Sequence, residues 1–220
     1  CNNKERTTMF NEIVLASNNA GKLREFKAFF EPYGVQVIPQ GELNVPECPE
    51  PHCTFVENAL AKARHASLVT GRPALADDSG ICATALNGAP GVHSARYAGE
   101  HKNDADNNTK LGLALRDEAN KEVWYVCVLV LVRSHDDPQP IILDGVWQGE
   151  WQEAACGDNG FGYDPHFYVS QYRQTAAEIP TTLKNRISHR GRAMLGLMQK
   201  MDELFHLHGL DVPEKAFFND

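Results

Sequence analysis

Apolar and polar positions change period along this chain, and each change marks an element. Ile13-Val14-Leu15-Ala16-Ser17 is a nearly unbroken apolar run and predicts a buried strand over 13–17. Beyond it Leu23, Phe26 and Phe30 recur at helical spacing, predicting a helix over about 21–31. Val35 to Ile38 reads as a second strand, and Gly41 to Cys53 as a loop rich in Pro and Glu. Thr54-Phe55-Val56-Glu57 is a capping-box sequence. It opens a helix to about Val69 with the stripe Phe55, Ala59, Ala63 and Ala66. Pro73 to Asp77 predicts a short strand ending on Asp77-Asp78-Ser79-Gly80. Residues 87–102 read as a glycine-containing loop, followed by a helix over about 104–118.

Val123 to Val132 and Ile141 to Trp151 predict two strands joined around Ser134-His135-Asp136-Asp137-Pro138, an antiparallel pair. Gly157 to Pro165 is a Gly- and Asp-rich loop. The last helix runs from about Ser188 to Leu207, with Met194, Leu197, Met198, Met201, Leu204 and Phe205 facing a core. The expected fold class is α/β: a mixed, partly antiparallel twisted sheet flanked by helices, in two lobes with a cleft between them. Residues 9–209 read as one domain. Residues 1–8 read as a tag remnant or disordered extension, and 210–220 as a C-terminal tail.

Composition narrows the partners. The 220 residues carry a formal net charge of −8, which disfavours nonspecific binding to nucleic acid or an anionic membrane. No apolar run approaches the roughly 20 residues of a membrane span. The six cysteines form no CxxC pair, and Cys82 and Cys127 sit in apolar contexts that suit buried thiols. This pattern implies a reducing, cytoplasmic setting. His52 between Cys48 and Cys53 lacks the second cluster a zinc site requires.

The chemistry begins at Ser17-Asn18-Asn19-Ala20-Gly21-Lys22. A strand, a small polar loop and a helix opening on a lysine suit a phosphate, because helix N-termini offer unpaired N–H groups and partial positive charge. It is not a P-loop: Ala16 stands where the first Gly belongs and Leu23 where the metal-binding hydroxyl belongs. Asp77-Asp78-Ser79-Gly80 at a strand's carboxyl end is where open α/β sheets place ligands. Adjacent strand residues face opposite sides, so one Asp faces the site and the other anchors the loop. Carboxylates suit Mg²⁺; Asp-Ser-Gly is equally good turn sequence. Glu50 lies in an exposed loop, and Glu57 is explained by the cap. Phe161-Gly162-Tyr163-Asp164 puts two aromatics in a permissive loop, able to stack on a base or to plug a turn. Ser188 suits a helix N-cap, but Arg190 in the first turn opposes the helix dipole. Such conflicts gather at functional sites.

Taken together, these segments resemble the inosine/xanthosine triphosphate pyrophosphatases, and within them the bacterial dITP/XTP branch. The matching residues are Ser17-x-Asn19-x-x-Lys22-x-x-Glu25, Glu50 before Thr54-Phe55-Val56-Glu57-Asn58-Ala59, and Lys62-Ala63. They continue through Ala76-Asp77-Asp78-Ser79-Gly80, Gly88 to Tyr97, Gly160 to Pro165, and Lys184-x-x-x-Ser188-His189-Arg190-Gly191. The resemblance spans about 13–207. It implies an enzyme that hydrolyses deaminated purine nucleoside triphosphates (ITP, dITP, XTP) to the monophosphate and pyrophosphate. It implies substrate contacts at Ser17, Asn18, Asn19, Ala20, Gly21, Lys22, Ser79, Phe161, Gly162, Tyr163, Asp164, Lys184, His189 and Arg190. It implies Mg²⁺ on Asp78 and Glu50, Asp78 as proton acceptor, Lys22 in catalysis, and a homodimer. Donors from Lys184, His189 or Arg190 would pair with a 6-oxo purine and go unmet on adenine. A pyrophosphatase for pyrimidine or modified nucleotides and a silent nucleotide-binding module are the alternatives. A Nudix hydrolase is disfavoured, since no Arg-Glu-x-x-Glu-Glu helix is present.

Overall fold

A computed structural model describes residues 10–101, 103–209 and 211–212. The expectations for residues 1–8 and for most of the 210–220 tail lie outside the described residues.

Seven strands form one sheet: β1 (Glu12–Leu15), β2 (Gln36–Pro39), β3 (Ala74–Ala83), β4 (Glu122–Val132), β5 (Ile141–Trp151), β6 (Phe167–Val169) and β7 (Gln174–Thr175), in the order β2-β1-β3-β4-β5-β6-β7. The β1 pairings to β2 and β3 are parallel and all others antiparallel. The helices are α1 (Ala20–Phe30), α2 (Phe55–Thr70), α3 (Asp104–Leu115), α4 (Thr181–Ile187) and α5 (His189–Leu207). The mixed α/β class and the β4–β5 hairpin agree with the sequence pattern. The pattern missed three short elements, β6, β7 and α4, which are too brief to show a period.

Two faces of the sheet are covered differently. Phe26 and Phe30 of α1 and Met194, Leu197 and Met201 of α5 pack on Ile13, Leu15, Leu75, Leu129 and Leu131. On the opposite face Ala59, Ala63 and Ala66 of α2 pack on Val14, Ala74, Ala76, Val128 and Val130. A third cluster, around Ile81, Val123, Tyr125, Trp147 and Phe167 with Leu111 and Leu115 of α3, forms the second lobe at the far end of the long strands.

One expectation is corrected. The strand read as ending at Asp77 runs on to Ala83, so Asp77 and Asp78 lie in mid-strand and the Asp-Ser-Gly turn does not form. The cause is β4, which pairs with β3 residue by residue from Ala74↔Val132 to Ala83↔Val123. Tertiary pairing overrides turn propensity here. The parallel ladder to β1 stops at Leu15↔Leu75. Asp77 and Asp78 therefore still stand just past the carboxyl end of the parallel part of the sheet.

Close approach of backbones fixes α5. A Cβ on Gly145 of β5 would lie 2.0 Å from the His189 carbonyl oxygen and 2.8 Å from the Ala193 nitrogen. Gly145→Ala is expected to cost about 1–3 kcal/mol or more, because neither neighbour is a flexible side-chain end. Urea denaturation measures it; an unchanged midpoint would mean that α5 can shift off β5 freely.

Candidate active site

The polar loop after β1 is stitched by its own side chains. Asn19 caps α1, its Oδ1 accepting from Gly21 N–H (2.9 Å) and Lys22 N–H (3.0 Å). Ser17 Oγ accepts from Asn19 N–H at 3.1 Å, and Asn18 Oδ1 accepts from Gly41 N–H at 2.9 Å. Two donors that the sequence offered to a phosphate are thus occupied by Asn19. The charge at this helix start is carried by the Lys22 side chain.

The paired aspartates face opposite sides of β3, as strand geometry requires. Asp77 turns to the α1/α5 face and is buried. Its Oδ1 lies 2.6 Å from Lys22 Nζ and its Oδ2 3.3 Å from Arg190 Nη2, while Ser79 Oγ donates to Oδ2 at 3.2 Å. Burial pushes this carboxyl up, but Lys22, Arg190 and then Lys62 outweigh it and hold it well below the usual carboxylate range. Arg190 also lies 3.6 Å from Glu25 of α1. The cation that opposed the helix dipole is therefore held by two carboxylates. Glu25 appeared in the sequence only as a motif position.

Asp78 turns to the α2 face. Lys62 Nζ lies 3.0 Å from Asp78 Oδ1 and 2.7 Å from Glu50 Oε1, and it donates to the Asp77 carbonyl at 2.9 Å. Glu50, read as exposed, is half-buried. Arg96 reaches its Oε2 and its backbone carbonyl, both at 3.5 Å. Burial raises the Asp78 pKa; Lys62 opposes this, and Glu50 and Asp77 add to it. Burial also pushes Glu50 up, but Lys62 and Arg96 outweigh it and hold it lowered. Asp78 Oδ2 is buried and has no hydrogen-bond partner. Sequence reading gave Lys62 and Arg96 no role. A signal for Lys62 existed: Phe55, Ala59, Lys62 and Ala66 fall at helical spacing, so this lysine lies on the buried stripe.

Beside this centre lies a cavity of about 380 Å³ between the two lobes, bounded by Ser79, Ile81 and Tyr125, by residues 159–164, and by α4 and α5. That volume suits a small ligand. The two loop aromatics separate: Phe161 is 65% exposed, whereas Tyr163 is buried and donates its hydroxyl to the Ser94 carbonyl at 2.7 Å. Tyr163 is the plug. Asp164, also buried, is bound to Lys184 Nζ at 2.5 Å and accepts from Phe161 N–H at 2.9 Å and the Tyr125 hydroxyl at 3.2 Å. Ser188 caps α5, accepting from Gly191 N–H.

His189 stacks on Tyr125, with ring centroids 4.6 Å apart and planes 12° apart, and its Nδ1 has no partner. Burial, then Arg190 and Lys184, hold its pKa well below 6.5. Below that value the unfolded chain takes up a proton that the folded one refuses, so folding stability falls as pH falls. His189→Phe should remove this slope, up to about 1.4 kcal/mol per pH unit. Denaturation of both proteins between pH 7 and 5 measures it; parallel curves would refute a neutral His189.

Among the described residues the five cysteines Cys48, Cys53, Cys82, Cys127 and Cys156 are free, and burial raises Cys82 and Cys127 to about 11. No described helix is long and apolar enough to cross a membrane. No group of three or more described His, Cys, Asp or Glu residues is arranged to hold a metal.

The site is thus a mixed α/β sheet whose interior strand β3 shows a lysine-paired carboxylate on each face, beside an aromatic-rimmed cavity. The chain belongs to the Ham1 family, whose model matches residues 13–200. It is 61% identical over 196 residues to a dITP/XTP pyrophosphatase of Chromobacterium violaceum, covering 89% of this chain and 100% of that protein. It is 61% identical over 191 residues to a protein of the same name from Neisseria meningitidis serogroup A, covering 86% and 96%. Among solved structures, a HAM1 protein from Coxiella burnetii superposes with a TM-score of 0.85 at 47% identity, covering 88% of this chain and 100% of that one.

Proposed function

We propose that this chain hydrolyses deaminated purine nucleoside triphosphates to the nucleoside monophosphate and pyrophosphate. The relatives named dITP/XTP pyrophosphatase support the substrate class. The observation that carries the chemistry is Asp78: a half-buried carboxylate with one oxygen held by Lys62 and the other buried and unpartnered. A carboxylate with raised proton affinity and a free oxygen is suited to accept a proton from an attacking water.

The residues fit a divalent cation. Mg²⁺ takes one or two protein carboxylates together with phosphate oxygens, and Asp78 has an orphaned oxygen, Oδ2, while its Oδ1 shares Lys62 with Glu50. Asp78 and Glu50 would hold the ion, which when bound supplies charge neutralisation at the phosphates. Lys62 bridges the two carboxylates and offsets their mutual repulsion. Lys22 and Arg190, already drawn together by Asp77, present cationic donors that a triphosphate can share.

The cavity takes the nucleoside, with the exposed Phe161 ring for the base. Lys184, neutral His189 and Arg190, whose Nε is unpartnered, line the cavity and are the donors for a 6-oxo group. Adenine would leave a donor unmet, at about 1–3 kcal/mol. The reading includes a cytoplasmic homodimer, on the resemblance and cysteine usage.

Product analysis with ITP, dITP, XTP, ATP and GTP, with and without Mg²⁺, tests this. Expected is Mg²⁺-dependent release of pyrophosphate and monophosphate from the deaminated purines, with little from ATP; guanine shares the 6-oxo group, so GTP reports on the 2-amino position instead. Pyrophosphate from a different nucleotide would overturn the base reading. No turnover of any would overturn the enzyme.

A further inference from the structure

We infer that Asp104 and Asn108 of α3 are positioning residues that clasp Gly162, the residue following Phe161, and thereby hold the Phe161 ring at the mouth of the cavity. The inference rests on the reading of that cavity as the nucleoside pocket.

Phe161 poses a physical problem. Phe161 is 65% exposed, so burial does not hold its ring, and the Lys184 Nζ over it stands as far as 6.0 Å from the ring centroid. The glycines on either side have positive φ, +82° at Gly160 and +62° at Gly162. Such backbone is permissive and imposes little order of its own. An aromatic surface that is to meet a ligand from this loop needs an anchor outside it.

α3 supplies one. Gly162 N–H donates to Asp104 Oδ2 at 2.9 Å, and Asn108 Nδ2 donates to the Gly162 carbonyl at 2.9 Å. Asp104 and Asn108 are four apart and share a helix face. One residue is thus gripped at both its donor and its acceptor from a single helical turn. On the other side Phe161 N–H is held by Asp164, so the ring projects from a backbone fixed before and after it. The helix is itself well founded. Leu111 and Leu115 are in the core, and Asn107 bonds the Ala95 carbonyl and the Ala98 N–H.

The bland account of Asp104 is that an acid in a first turn favours the helix dipole. That account requires neither a contact 58 residues away nor Asn108 as its complement. A preformed platform lowers the ordering cost of binding, so loosening it weakens binding rather than the chemical step.

Four variants test this: Asp104→Ala, Asp104→Asn, Phe161→Ala and the Asp104→Ala/Phe161→Ala double. In the free protein Asp104→Ala should exchange the Gly162 amide hydrogen about tenfold faster. With ITP it should raise KM about tenfold and change kcat by less than about twofold, an amount equal to about 1.4 kcal/mol of binding. Asp104→Asn keeps an acceptor oxygen and should restore both. The double variant should be no worse than Phe161→Ala alone. Unchanged amide exchange, a fall in kcat at constant KM, or independent multiplication of the two KM effects would each overturn the clasp. A wild-type protein that turned over no deaminated nucleotide would overturn the functional reading, and amide exchange alone would then decide the clasp.

Discussion

Asp78→Asn is expected to lower turnover by about 10²–10⁴-fold, the range attached to a positioned proton acceptor, and to leave the fold intact. The substitution conserves shape and removes charge. Asp78 is a site where charge costs folding energy, since burial raises its pKa despite Lys62. Lys62 loses one counter-charge but keeps Glu50 and the Asp77 carbonyl. The new amide can still offer its oxygen to Lys62, and its nitrogen takes the place of an oxygen that had no partner. Steady-state turnover alongside a urea midpoint separates the two effects. Near-normal turnover would remove Asp78 from the mechanism, whatever happened to stability.

Its neighbour should behave in the opposite way. Asp77→Ala is expected to destabilise the protein by about 3–5 kcal/mol, because it strands two cations around a buried site. Lys22 loses its ion pair, and Arg190 is left with Glu25 alone. The pH dependence follows from the sign of the shift. The folded Asp77 carboxyl lies well below its ordinary value of 3.8, so its contribution is full above that pH and is lost as pH falls through and below it. The gap between wild type and variant should therefore narrow in acid. Urea titrations at pH 7 and below pH 4 measure this. A variant within about 1 kcal/mol of wild type at pH 7 would show that Lys22 and Arg190 are satisfied without Asp77.

The contrast between adjacent aspartates shows how far the linear pattern reaches. Alternation along a strand predicted that they would face apart, and they do. It could not say that β3 continues to Ala83, because Asp-Ser-Gly is locally turn sequence and only β4 holds it extended. The helix over α2 and its Thr54 cap were legible from spacing and capping residues. Lys62 entered only as a motif match, with no role, although it stands at a stripe position. A single cation among alanines carries no local signal of the two carboxylates it will meet from other elements.

Periodicity, caps and turn residues are local. By itself the sequence therefore determined the α/β class, the β4–β5 pair, the Ser17–Lys22 loop and the Ser188 cap. What it could not determine is which groups meet across large separations. Lys22 and Asp77 are 55 residues apart, Arg190 and Asp77 113, and Gly162 and Asp104 58. The two Asp77 pairings are fixed by strand register and by where α5 lands on Gly145. Both depend on burying surfaces that no local stretch of chain contains.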